Sequence, residues 1–379
     1  MWIIAASGSI CESFCERSAI SFAHEAKSTR SNTVATGSTR TIGKQEVNIL
    51  FTCAGRRVAL MEAFRQALAS LGLRGKLIAA DLSAASPAFH VADAAEIVPR
   101  AGCIEYIPGL LDIVKRHNIS LVLPMTDLDI RSLARQRAKF DAFGCSVMIG
   151  SEESIKLCRD KAAFQKILSA AGLATIKTMS LEEFRTNPFY PCFVKPLRGS
   201  ASVGTGVINN DRELKAHVAT FGELLVVQEY APGQEFTVDV FRSRDKTVHC
   251  VVPRLRMVIR SGEVEKGITI RDKHVIEDTT TLAGLLGDIW GVFCCQCKRD
   301  TDGRPRFFEV NPRFGGGSPL SIAAGANLPR YVLQEILGKP IDKNIDFQEN
   351  LMMLRYDQAV FTVENKPESL PGFNSPISK

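Results

Sequence analysis

Phe307-Phe308-Glu309-Val310-Asn311-Pro312-Arg313 alternates polar and apolar residues over its middle, as a strand does, and then adds a proline and an arginine. Side chains two apart on a strand share a face, so Glu309 and Asn311 offer hard oxygen donors of the kind Mg²⁺ takes. Upstream, Val292-Phe293-Cys294-Cys295-Gln296-Cys297 reads as a partner strand presenting Gln296, with Asp302-Gly303 as the turn between them. Downstream, Phe314-Gly315-Gly316-Gly317-Ser318 reads as a turn. Polar oxygens on an apolar hairpin cost free energy when buried without a partner. Structure alone therefore explains Gln296, Glu309, Asn311 and Arg313 poorly, and a binding site explains them well.

Working outward, Phe193-Val194-Lys195-Pro196 is a short strand carrying a lysine. The segment after it, 198–207, is rich in glycine and small hydroxyl residues (Gly199, Ser200, Ser202, Gly204, Gly206). Such a backbone can wrap phosphate oxygens, and Lys195 adds charge. No G-K-[ST] closes it, so it is not a Walker loop, and a plain flexible hairpin remains the competing reading. Residues 224–231 then form an apolar strand running into a hinge at Gln228-Glu229-Tyr230-Ala231. A hinge backbone can read an adenine edge, and Glu235, seven positions past Gln228, can take ribose hydroxyls. By itself the segment is also an ordinary strand-turn-strand.

The first half of the chain alternates strand and helix. Asn48–Thr52 predicts a strand, 59–71 a helix, 76–81 a strand, 94–98 a strand, 106–117 a helix and 121–124 a strand. That order implies a parallel α/β sheet, whose ligands collect at the carboxyl ends of strands, where Gly55, Asp81 and Thr126-Asp127 lie. Gly55-Arg56-Arg57 supplies one glycine where the dinucleotide fingerprint needs three, so NAD binding is a poor fit. Arg56 and Arg57 either hold an anionic substrate group or begin a solvated helix. Residues 151–190 predict a helical connector, starting at Ser151 and continuing over 160–171 to Gly172.

Residues 1–46 are Ser/Thr-rich and lack a sustained apolar period, and are expected to be a disordered leader or an over-extended start. The eleven cysteines lie mostly in apolar stretches, as reduced cysteines of a cytoplasmic protein do. Cys294-Cys295-x-Cys297 does not read as a zinc site, because neighbouring strand residues face opposite ways and no second cysteine pair or nearby histidine completes the shell. Lys plus Arg is 47 against 41 Asp plus Glu, a net charge of +6 with no basic block, which argues against a nucleic-acid partner. No apolar run approaches the roughly 20 residues of a membrane helix.

In their order these motifs resemble the ATP-grasp superfamily, from about residue 47 to about 337. The likeness is strongest to the branch of carbamoyl-phosphate synthase large subunits and the pyrrolysine-biosynthesis ligase, whose first strand carries a T-x-A-G-R-R-like turn, here Thr52-Cys53-Ala54-Gly55-Arg56-Arg57. The resemblance implies a pre-ATP-grasp parallel α/β domain (47–150) followed by a two-subdomain (α+β) ATP-grasp fold (151–340). Within the latter, about 160–230 would be the small nucleotide-covering subdomain, with a C-terminal extension over 341–379. It implies ATP and Mg²⁺ (or Mn²⁺) as cofactors. Lys161 and Lys195 would contact the phosphates, the loop with Gly199, Ser200, Ser202 and Gly204 would close over them, and Gln228, Glu229 and Ala231 would flank adenine. Glu235 would hold ribose, Gln296, Glu309 and Asn311 the metal, and Arg313 would stabilise the phosphoryl group in transfer. Two positions depart from common patterns: Gln228 stands where glutamate is frequent and Gln296 where many relatives carry an acid.

Arg254, Arg256 and Lys266 lie where relatives approach their acceptor, so with Arg56, Asp81 and Asp127 they are substrate candidates, solvated surface charge being the other reading of the basic ones. The expected activity is an ADP-forming carboxylate–amine ligase working through an acyl phosphate. The alternatives are a carbamate or carboxylate kinase and a non-catalytic nucleotide-binding regulatory module. Expected partners are a small-molecule carboxylate and an amine, with no nucleic acid or membrane and with a homodimer left open. The expected location is cytoplasmic.

Overall fold

The computed structural model describes residues 46–197, 204–260, 262–300 and 302–363. The expected leader lies outside them except for Glu46, as do Gly199, Ser200, Ser202 and 364–379 of the expected C-terminal extension.

Five short strands form a fully parallel sheet: β1 (Asn48–Thr52), β2 (Leu77–Asp81), β3 (Ala94–Ile97), β4 (Ile119–Pro124) and β5 (Ser146–Val147). Helices α1 (Val58–Ser70), α2 (Tyr106–Arg116) and α3 (Ile130–Asp141) connect them. All of β1 is buried, which is why its sequence shows no alternation. Ile49 and Phe51 enter one core and Leu50 the other. The strand order β3-β2-β1-β4-β5 reverses direction between β1 and β4, so the loops after these two strands border the crevice where such sheets bind ligands.

Next, α4 (Glu152–Arg159) and α5 (Lys161–Ala170) meet at Asp160, which ends the first helix. Its carboxylate caps the second by accepting the Ala162 and Ala163 N–H groups at 3.0 and 2.9 Å. The helical connector expected as far as 190 stops sooner. β6 (Thr178–Ser180) and α6 (Leu181–Thr186) follow it, and three residues are too few for a strand period to be read. With β7 (Cys192–Pro196), β8 (Gly206–Ile208), α7 (Asp211–Phe221) and β9 (Leu225–Glu229) they build a small antiparallel sheet, order β6-β9-β7-β8, on a core of Phe184, Val194, Leu214 and Val227.

The largest sheet is antiparallel. It comprises β10 (Glu235–Arg242), β11 (Val248–Arg260), β12 (Glu263–Thr269), then, after α8 (Lys273–Gly284), β13 (Gly291–Arg299) and β14 (Pro305–Asn311). Two helices, α9 (Ser318–Ala323) and α10 (Leu328–Ile336), precede its edge strand β15 (Met352–Leu354), in the order β14-β13-β10-β11-β12-β15. β15 lies within the stretch expected as an extension, and it pairs with β12. The parallel and large antiparallel sheets share one core: Phe51 and Phe64 lie in it with Phe241, Trp290, Phe314 and Tyr331. The Phe64 and Phe314 rings meet edge to face at 5.6 Å. Burying side chains of this size contributes about 1.5–3 kcal/mol each.

Candidate active site

Cross-strand register lays out a polar face on the large sheet. Glu309 lies opposite Gln296, Gln296 opposite Thr237, and Thr237 opposite Arg254. One step along, Asn311 lies opposite Cys294 and Cys294 opposite Asp239. Residues directly opposite on antiparallel strands point to the same side, so these rows form one surface. The other side carries Phe236, Val238, Val240, Cys295, Cys297 and Phe307, all core residues. Gln296, Glu309 and Asn311 thus present one carboxylate and two amide oxygens together. This all-oxygen set fits a hard divalent cation that takes its remaining ligands from phosphate and water.

Beside this row a cavity of about 90 Å³ is bordered by Arg57, Arg254, Arg256, Glu263, Arg313 and the Gly315-Gly316-Gly317 run, among others. Each arginine is held by a carboxylate. Arg313 grips Asp127, in the loop after β4, through Nε and Nη2 at 2.9 and 2.7 Å, while Nη2 also reaches Asn311 Oδ1 at 3.3 Å. Burial disfavours the Arg313 charge, but Asp127 outweighs it and the guanidinium stays protonated well above its ordinary range. Arg254 is bound to Asp239 at 2.8 and 2.9 Å with neither side chain more than 1 % exposed, and Ser321 Oγ donates to Asp239 at 2.6 Å. Its Nη1 is buried with no hydrogen-bond partner among the described residues. Arg256 pairs with Glu235, and Arg57 with Glu263 at 3.0 Å. A Cβ at Gly317 would come within 2.2 Å of the buried Arg254 Nη1, which has no room to give way, and one at Gly316 within 2.7 Å of both Arg57 Nη1 and the Glu263 carboxylate, whose side-chain ends would have to shift.

On the small-sheet side, Lys195 of β7 lies 5.5 Å from the centre of the Phe308 ring. Burial, then the charge of Lys161, lower its pKa to about 8, against the pull of Glu309 and Glu235. Gln228 is buried, lies opposite Thr178 of β6 and donates to its hydroxyl at 2.6 Å. Glu229 is exposed. The Ala231 carbonyl accepts from Lys298 Nζ at 3.0 Å. Gly204 packs against Pro196 and Phe221.

The other substrate candidates are placed differently. Asp81 braces the β1–α1 turn, accepting from the Gly55 N–H at 2.6 Å and from Ser86 Oγ at 3.3 Å. Arg56 and Lys266 are exposed. Of the two arginines after β1, it is Arg57, partly buried, that faces the cavity. Arg254 is neither a solvated surface charge nor an open cation but half of a buried ion pair. Sequence pattern alone does not single out Asp239 or Glu263. The alternation Glu235-x-Thr237-x-Asp239 along β10 was the available signal for the first, whereas nothing local marks the second. The loop carrying Asp127 is anchored by buried Asp129, which accepts from Tyr106 Oη at 2.8 Å.

Three family models match the chain in succession. These are "PylC-like, N-terminal domain" over 49–148, "D-ala D-ala ligase C-terminus" over 161–260 and "ATP-grasp in the biosynthetic pathway with Ter operon" over 221–359. A formate-dependent phosphoribosylglycinamide formyltransferase of Bacteroides fragilis is 24 % identical over 292 residues, 70 % of this chain and 72 % of that protein. A D-alanine–D-alanine ligase of Thermotoga maritima is 35 % identical over 210 residues, 48 % of this chain and 66 % of the ligase. Among solved structures, N5-carboxyaminoimidazole synthetase from Staphylococcus aureus complexed with ADP superposes with a TM-score of 0.65 at 17 % identity, covering 83 % of each chain. The chain belongs to the ATP-grasp superfamily, as one of its carboxylate-activating ligases. Among the described residues, no helix is long and apolar enough to cross a membrane.

Proposed function

We propose that the protein is an ATP- and Mg²⁺-dependent carboxylate–amine ligase that forms ADP. A carboxylate oxygen of the acceptor attacks the γ-phosphorus, and the bond from that phosphorus to the β,γ-bridging oxygen breaks. The acyl phosphate then loses phosphate to an attacking amine, which gives up a proton as the amide forms. The observation that carries this reading is the alignment of Gln296, Glu309 and Asn311 on one sheet face, with Arg313 set beside them by Asp127.

In this reading Lys161 and Lys195 meet the phosphates, and the segment with Gly199, Ser200, Ser202 and Gly204 covers them. Gln228, Glu229 and Ala231 border adenine, and Glu235, steadied by Arg256, takes the ribose. Gln296, Glu309 and Asn311 would hold Mg²⁺, which supplies neutralisation of phosphate charge. Arg313 meets the phosphoryl oxygens as their charge redistributes. Arg254 and Arg313 border the space left for the acceptor. A panel of carboxylates and amines, read by ADP release with hydroxylamine as trap, tests the proposal. ADP matched by hydroxamate is expected. AMP with pyrophosphate, or ADP without trapped acyl group, overturns it.

A further inference from the structure

We propose that the acceptor carboxylate carries a second anionic group, seated on Arg57 and Arg355, and that Glu263 occupies this seat while the acceptor is absent. The inference rests on the carboxylate-activating reading of the same site.

Arg254 and Arg256 are paired with Asp239 and Glu235, and Arg313 is gripped by Asp127, which Arg159 also approaches at 3.8 Å. Arg57 and Arg355 share one carboxylate: Glu263 Oε1 lies 3.0 Å from Arg57 Nη2 and Oε2 lies 3.2 Å from Arg355 Nη1. Two guanidiniums therefore converge on a single carboxylate, with Arg57 and Glu263 at the cavity wall, so these three groups together carry a net positive charge, and the exposed Arg56 is near enough to act on Glu263. A net positive charge at such short range favours a further anion.

Arg57 and Glu263 border the same cavity as Gln296, Asn311 and Arg313, where the reacting carboxylate would sit. A molecule that paired with Arg313 at one end and Arg57 at the other would carry an anionic group at each. The three contributors come from separate parts of the chain: Arg57 from the β1–α1 turn, Glu263 from the start of β12 and Arg355 from just beyond β15. Gly316 passes within a Cβ's reach of both Arg57 and Glu263, so the seat is closely walled. Glu263 is partly exposed, at 33 % of its side chain, and in this proposal it swings toward solvent as the incoming anion takes its place.

The distal group is a carboxylate or a phosphate-type anion, which the test separates. Dicarboxylates from malonate to adipate, each beside the monocarboxylate of equal length, and phosphonoacetate are titrated by calorimetry into the full chain loaded with MgADP. At least one dianion should bind about tenfold or more tightly than its monoanionic partner. Preference for phosphonoacetate over malonate would assign a phosphate-type group, and the reverse a carboxylate. Arg57→Gln should abolish the preference, and Arg355→Gln should do so independently should the first variant fold poorly. Glu263→Gln should strengthen dianion binding, because it removes the competing charge. A purely structural clamp predicts otherwise: the arginine and glutamate variants would lower the melting temperature alike and leave the preference unmoved. That result, or equal binding of mono- and dianions, overturns the inference. ADP and hydroxamate formed equally from monocarboxylates would sink it while sparing the ligase reading. AMP as product would sink the ligase reading while the binding preference stood.

Discussion

Asp127 and Arg313, 186 residues apart in sequence, form a two-pronged ion pair across the junction between the parallel sheet and the large antiparallel sheet. The pair turns the Arg313 guanidinium so that Nη2 also meets Asn311. In the proposed reaction Asp127 would act as a positioning residue for Arg313. Asp127→Asn keeps the shape but loses the charge-assisted contacts, so kcat should fall by about 10- to 100-fold while the ATP dissociation constant moves little. Asp127→Glu should restore part of kcat. Steady-state kinetics beside nucleotide calorimetry checks this, and an unchanged kcat in Asp127→Asn would remove the assignment.

Glu309 supplies the one formal charge among the three oxygen donors on β13 and β14. Replacing it by glutamine preserves size and should leave the melting temperature within about 1 °C while Mg²⁺ dependence shifts to higher concentration. Turnover should drop roughly 10²-fold or more, since a charged ligand at a phosphoryl-transfer centre has that weight. Magnesium titration of ADP release is the measurement. Near-normal turnover at ordinary magnesium would exclude Glu309 as a ligand.

Lys195 offers a pH signature. With its pKa lowered to about 8, the free protein loses this positive charge as pH rises through that value. Phosphate oxygens favour the protonated amine, so ATP affinity should be level below pH 8 and weaken above it. Binding near pH 8 should take up a proton, visible as a calorimetric enthalpy that changes with buffer ionisation. Lys195→Arg, which keeps its charge throughout, should flatten the profile.

Arg254 and Asp239 test stability. Removing one member leaves a fully buried charge alone, so Asp239→Ala should cost about 3–5 kcal/mol in denaturant unfolding. The double variant Asp239→Ala, Arg254→Met should be more stable than that single variant, because no isolated charge remains. Equal losses in the two would show that packing, not charge, governs the pair.

Much of this protein is decided by local pattern. The alternation of short apolar runs with helical periods establishes a parallel α/β sheet, since a strand buried on both faces must be apolar throughout, as Asn48–Thr52 nearly is. The two-residue period likewise places Glu309 with Asn311, and separates Cys294 from Cys295, because strand geometry allows nothing else. What the tertiary structure alone decides is which charges meet. Asp127 with Arg313, Arg254 with Asp239 and Arg57 with Glu263 join residues whose separation along the chain carries no periodic signal. Arg56 and Arg57 are equivalent as letters, yet the shared core around Phe64 and Phe314 turns one toward the cavity and leaves the other in solvent. A local pattern reports a residue's own backbone geometry, whereas an ion pair depends on how two separately formed elements pack, and packing is a property of the whole fold.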